Sequence, residues 1–123
     1  MKRPDFIPNG YHWFRGGSRE ICNPPPEDTD EDFFVLCRMG GADLRSTLRA
    51  YGFREYASDD YSEEPTFNSW RKDHYNVILI QSPKHFGSIK TATTLAKRLN
   101  LQDKSQRIVV HEFMRELYEN SSL

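Results

Sequence analysis

The two longest runs of aliphatic and aromatic residues in this chain, Phe33–Leu36 and Val77–Ile80, are four residues each. Runs of that length, bounded by polar residues, mark short buried strands. They fall far below the roughly 20 apolar residues of a membrane-spanning helix. The core must therefore be built on a small sheet. With 123 residues the chain reads as one domain spanning residues 1–123, and folding at that size hides roughly two-thirds of the extended surface. A hydrophobic share of 37% with 28% charged residues places it among globular domains rather than disordered chains. No apolar segment follows Met1-Lys2-Arg3, so a signal peptide is not expected. Cys22 and Cys37 match neither zinc nor redox spacing, which suits two reduced thiols and a cytoplasmic protein.

The punctuation between the runs orders the remaining elements. Tyr11-His12-Trp13-Phe14 reads as a strand stopping in a turn at Gly16-Gly17. Pro24-Pro25-Pro26 places residues 19–29 in a loop. The run around Phe33 predicts a strand over 32–37, and Leu44 and Leu48 predict a short helix over 43–51 closed by Gly52. Residues 54–66 are polar and read as a loop. Strands over 67–72 and 75–81 follow, joined by a tight turn at Asp73-His74. Ser82 and Pro83 begin a helix with Phe86, Ile89, Thr93, Ala96 and Leu99 on one side. Asp103 begins a last helix in which Ile108, Val109, Phe113 and Leu117 are expected to face the core. The expected class is α+β: a short mixed or antiparallel sheet with helices packed on one face.

Net charge is –1, but it is unevenly placed. Residues 1–83 hold 10 basic and 14 acidic side chains, a balance of –4, and residues 84–123 hold 7 and 4, a balance of +3. Lys84, Lys90, Lys97, Arg98, Lys104 and Arg107 could form a nucleic-acid-facing surface, although such lysines are equally at home as solvated helix faces. The cluster Glu55, Asp59, Asp60, Glu63 and Glu64 fits a solvated loop. The cluster Glu27, Asp28, Asp30, Glu31 and Asp32 differs, because it runs directly into an apolar strand.

That junction carries the chemistry. Asp30 and Asp32 lie two positions apart, and on a strand they point to the same face. Held together they repel unless a cation lies between them. Oxygen-only ligands suit Mg²⁺, which keeps waters and takes further ligands from a substrate phosphate. Separated from Asp30 by eleven residues, Gly17-Ser18 offers close backbone approach to a phosphate and a hydroxyl donor, while Arg15, Arg19 and Arg71 could neutralise its charge. Such a site suits metal-assisted in-line displacement at a nucleotide phosphorus. On composition alone, a plain Gly-Gly turn and a solvated acidic loop remain equally open.

Phe14-Arg15-Gly16-Gly17-Ser18, followed at this spacing by Asp30-Glu31-Asp32-Phe33, resembles the signature of the nucleotidyltransferase superfamily that includes DNA polymerase beta and the aminoglycoside nucleotidyltransferases. The second half, Trp70-Arg71-Lys72, a turn, Tyr75 to Leu79, then Ala92 and Ala96-Lys97-Arg98-Leu99-Asn100-Leu101, is similar to short nucleotidyltransferase-like proteins of tailed bacteriophages. Together the two halves cover most of residues 11–118. The resemblance implies a minimal nucleotidyltransferase fold that moves a nucleoside monophosphate from an NTP to an acceptor hydroxyl on RNA, protein or a small molecule. It implies Gly17, Ser18, Arg19 and Arg71 at the nucleotide and Asp30 and Asp32 on Mg²⁺ or Mn²⁺, in the cytoplasm (the host's, for a phage protein). The family adds a third carboxylate on a later strand, and here Asn76 stands in that context. Asn can ligate a metal but cannot act as a base near neutral pH, and Asp73, three residues earlier, is the other candidate. The departure opens an alternative, a binder of nucleotide, nucleic acid or host protein without turnover. A Phe- and Tyr-rich sheet also has reason to bury an edge by pairing as a homodimer.

Overall fold

The computed structural model describes residues 2–26, 30–38, 41–56 and 67–120. Five strands and four helices alternate along them: β1 Trp13–Gly16, α1 Gly17–Ile21, β2 Glu31–Leu36, α2 Ala42–Ala50, β3 Arg54–Tyr56, β4 Phe67–Lys72, β5 Tyr75–Ile80, α3 Pro83–Arg98 and α4 Lys104–Glu119. The strands form one mixed sheet in the order β1-β2-β5-β4-β3, with β2 and β5 parallel and the other neighbours antiparallel. The class is α+β, and no helix of the described residues is long and apolar enough to cross a membrane.

The expected boundaries hold where local chemistry sets them. The Ser82 hydroxyl accepts from the His85 amide at 3.2 Å at the start of α3, and Asp103 accepts from the Ser105 amide at 2.9 Å at the start of α4. Gly52, at φ +92°, ends α2 with its amide on the Arg49 carbonyl at 3.0 Å. Two elements differ from expectation. Residues 17–21 are helical, not a turn and loop, and residues 54–56 add an edge strand to the sheet. Asp28 and the acidic residues 59, 60, 63 and 64, with Glu27, lie outside the described residues.

Alternation along β2 and β5 sends side chains to two separate cores. Phe33, Val35 and Cys37 join Val77, Leu79 and Trp70 under Leu44 and Leu48 of α2, and the N-terminal Phe6 and Ile7 complete that face. Phe34 and Leu36 join Ile78 and Ile80 under Phe86 and Ile89 of α3 on the opposite face. Helices therefore cover both faces, where one had been expected. The parallel β2–β5 pair makes this necessary, because strands apolar at every position leave no face for water.

The last helix departs most from its expected packing. The main partner of α4 is α3. Its inward side carries Arg107, buried, and Tyr118, whose hydroxyl lies 2.6 Å from Thr91 Oγ1. Ile108, Val109, Phe113 and Leu117, expected in the core, are 46%, 63%, 54% and 50% exposed. Leu99, expected on the buried side of α3, ends that helix exposed. A helix whose inward positions are satisfied by hydrogen-bonded polar groups can leave its apolar positions outside.

Candidate functional site

The register brings one row of residues across the whole sheet. Gly16 faces Asp32, Asp32 faces Asn76, Asn76 faces Arg71, and Arg71 faces Arg54. Residues directly opposite in neighbouring strands point to one side. Asp32, Asn76 and Arg71 thus share the face that α3 covers further along the strands. This end of the sheet is where β1 finishes and β2 and β5 begin.

The Gly-Ser bend closes on that row. Gly17 adopts φ +73°, and a Cβ built on it would stand 2.0 Å from Asp32 Oδ2. Only glycine lets the backbone lie against the carboxylate in this way. Asn76 is fixed from both ends. Its carbonyl oxygen accepts from the buried Ser69 hydroxyl at 2.7 Å, and its amide donates to Asp32 Oδ1 at 3.2 Å. The oxygen with which Asn76 could hold a cation is thus engaged, and the amide faces the acid. Burial pushes the Asp32 carboxyl up to about 6, with the Asn76 hydrogen bond lowering it, the charge of Asp30 raising it and that of Arg71 lowering it.

The other expected residues separate into those near the row and those committed elsewhere. Asp30 is exposed just before β2, near enough for its charge to act on Asp32. Arg71 lays its guanidinium over the Tyr56 ring at 3.8 Å, and its buried Nε has no hydrogen-bond partner among the described residues. Arg19 lies half-buried on α1. The Ser18 hydroxyl accepts from Arg107 Nη2 at 2.9 Å. Arg15 is paired with Glu31 and stands 4.0 Å from Glu20. Asp73 occupies the β4–β5 turn at φ +53°, exposed, with no hydrogen bond or ion pair joining it to Asp32. Its neighbour His74 stands 3.4 Å from Glu31. Arg107, expected on a basic surface, is buried, and donates to the Leu101 and Gln102 carbonyls at 3.0 and 2.8 Å as well as to Ser18.

Two participants, Ser69 and Tyr56, went unread in the sequence, and Arg107 was read only as part of a basic surface. Ser69 could have been placed, because a two-residue turn at 73–74 pairs residue 71 with 76 and so puts 69 on the same face. Tyr56 and Arg107 carried no local signal, since each reaches the site from an element whose docking is set by tertiary packing.

Asp30 and Asp32 are the two carboxylates at this end of the sheet that could hold a divalent cation. One is a carboxylate withdrawn from water, and a second negative charge stands beside it, so a cation between them would relieve both penalties. Among the described residues, no three His, Cys, Asp or Glu side chains gather into a metal-binding group. Two carboxylates are nevertheless a normal protein share for Mg²⁺, which draws its other ligands from water and phosphate.

Comparison with family models, curated proteins and solved structures found no match. The functional reading therefore rests on the site's own geometry and on the resemblance of its motifs.

Proposed function

We propose that this protein is a minimal nucleotidyltransferase that takes a metal-bound nucleoside triphosphate at the corner between Gly17 and Asp32. The observation that supports it is the close approach of the Gly17 backbone to the Asp32 carboxylate, which sets the Gly-Ser bend and the acidic strand start side by side. Asp30 and Asp32 would hold Mg²⁺ or Mn²⁺, whose charge would neutralise the phosphates during displacement. Asn76 keeps the Asp32 carboxylate oriented. Ser18, next to the bend, and Arg71, whose charge acts on Asp32, would meet phosphate oxygens. In the transfer, an acceptor hydroxyl oxygen bonds to the α-phosphorus as the bond to pyrophosphate breaks, and the hydroxyl proton leaves to water or to the departing pyrophosphate.

A second reading is favoured by one specific observation. Asn76 stands where a third carboxylate would serve as base, and its carbonyl is tied to Ser69. The same corner could then hold a nucleotide without turning it over. Calorimetric titration of Mn²⁺ with ATP into the wild type and into an Asp30→Ala/Asp32→Ala double variant tests both readings. Heat in the wild type alone supports the site, and equal heats in the two proteins end both readings. Incubation with each α-labelled NTP and a cell extract then separates them, since only turnover moves label onto a macromolecule.

A further inference from the structure

We infer that the outer flank of α4 is the contact surface of a homodimer, in which two copies lay their last helices side by side and parallel. Val109, Phe113 and Leu117 recur at every fourth residue, within about 80° of the helix circumference, and all are half or more exposed. No charged residue interrupts this stripe. Glu112 and Glu116 run along one of its edges. On the other edge Met114 leads into a groove of about 400 Å³ shared with Lys90, Thr94 and Arg98 of α3. The surface thus has an acidic margin, an apolar centre and a basic margin.

Such a surface is complementary to itself in only one sense. A two-fold axis parallel to the helices sets the acidic margin of each copy against the basic margin of the other, whereas an antiparallel pairing sets acid against acid. The levels along the helix also match. α3 and α4 run antiparallel, and Thr91 meets Tyr118 at 2.6 Å. Lys90 is therefore level with the last turn of α4, and Arg98 lies toward its first half. Glu116 then stands opposite the Lys90 of a second copy, and Glu112 opposite its Arg98. A second copy is the partner this pattern selects, because each margin already carries the charge the other needs. A 16-residue helix is only about 24 Å long, so the interface is small and its dissociation constant is expected to be micromolar.

Sedimentation velocity over a low- to high-micromolar concentration series tests the inference. The wild type is expected to shift from monomer to dimer across the series. Phe113→Asp, at an exposed position, should keep its far-UV circular dichroism and weaken dimerisation by at least about tenfold. Glu112→Lys/Glu116→Lys should weaken it as well, and adding Lys90→Glu/Arg98→Glu to that variant should restore it. A wild type monomeric throughout, a Phe113→Asp protein that dimerises as well as the wild type, or a failed charge-reversal rescue would each overturn the proposal.

Discussion

Asp32 is the residue at which stability and the proposed chemistry pull against each other. Its carboxyl is pushed up from 3.8 to about 6, chiefly by burial, so the folded protein prefers it protonated while the unfolded chain does not. Below about pH 4 it is protonated in both states and costs nothing; above about pH 6 the folded state carries the buried charge and loses about 3 kcal/mol. In metal-free protein the unfolding free energy should therefore fall across that window relative to Asp32→Asn, as read from urea melts at a series of pH values. Parallel pH curves for the two proteins would show that Asp32 carries no such penalty. Gly17 presents the opposite case, in which adding atoms does the harm. Gly17→Ala sets a methyl group 2.0 Å from Asp32 Oδ2 at a positive φ, so a loss of about 2–3 kcal/mol is expected in the same melts. Nucleotide heat should be lost even under conditions where that variant remains folded. Both residues were legible in the sequence, because the motif couples them at a fixed spacing. The engagement of Asn76 by Ser69 was not, since it depends on which way an amide turns once the hairpin has formed.

Elements were legible to the degree that their ends are chemically marked. Ser82, Asp103 and Gly52 fix three helix boundaries through single hydrogen bonds or a left-handed backbone, all local events. The orientation of α4 is not local. Its sequence offers two candidate inner faces, an apolar one through Val109, Phe113 and Leu117 and a mixed one through Arg107, Met114 and Tyr118. Hydrophobicity selects the first, and the structure uses the second. Arg107 decides the matter, because its guanidinium ties Ser18 of α1 and the carbonyls of Leu101 and Gln102 to the first turn of α4. Arg107→Ala leaves those acceptors without their charged donor and should cost about 3 kcal/mol, while Ser18→Ala, which removes one of the three oxygen acceptors, should cost about 1 kcal/mol. Chemical denaturation of the two variants checks the ranking. Equal losses would mean that the Ser18 link alone holds α4 in place.

At the scale of the whole molecule, the order β1-β2-β5-β4-β3 puts the most apolar strands at the centre and the most polar at an edge. The runs Phe33–Leu36 and Val77–Ile80 identified β2 and β5 in the sequence, but not that they lie parallel. That arrangement needs a crossover, which the chain makes through α2, β3 and β4. With both faces of the central pair covered, the candidate site falls at the sheet end, where Gly17 meets Asp32. Local stability should follow the same gradient. Asn76 to Ile80 are all buried, whereas Arg54, Glu55 and Tyr56 of β3 are all exposed and pair on one side only. Native-state hydrogen exchange should therefore find the slowest amides in β5 and β2, opening only with global unfolding, and β3 exchanging through local fraying that denaturant scarcely affects. Binding of Mn²⁺ with ATP should slow exchange first around Gly17 and Asp32 and leave β3 nearly unchanged. Protection of β3 equal to that of β5 would mean that the sheet opens as one unit, and the sheet end could not then be loaded without ordering the whole fold.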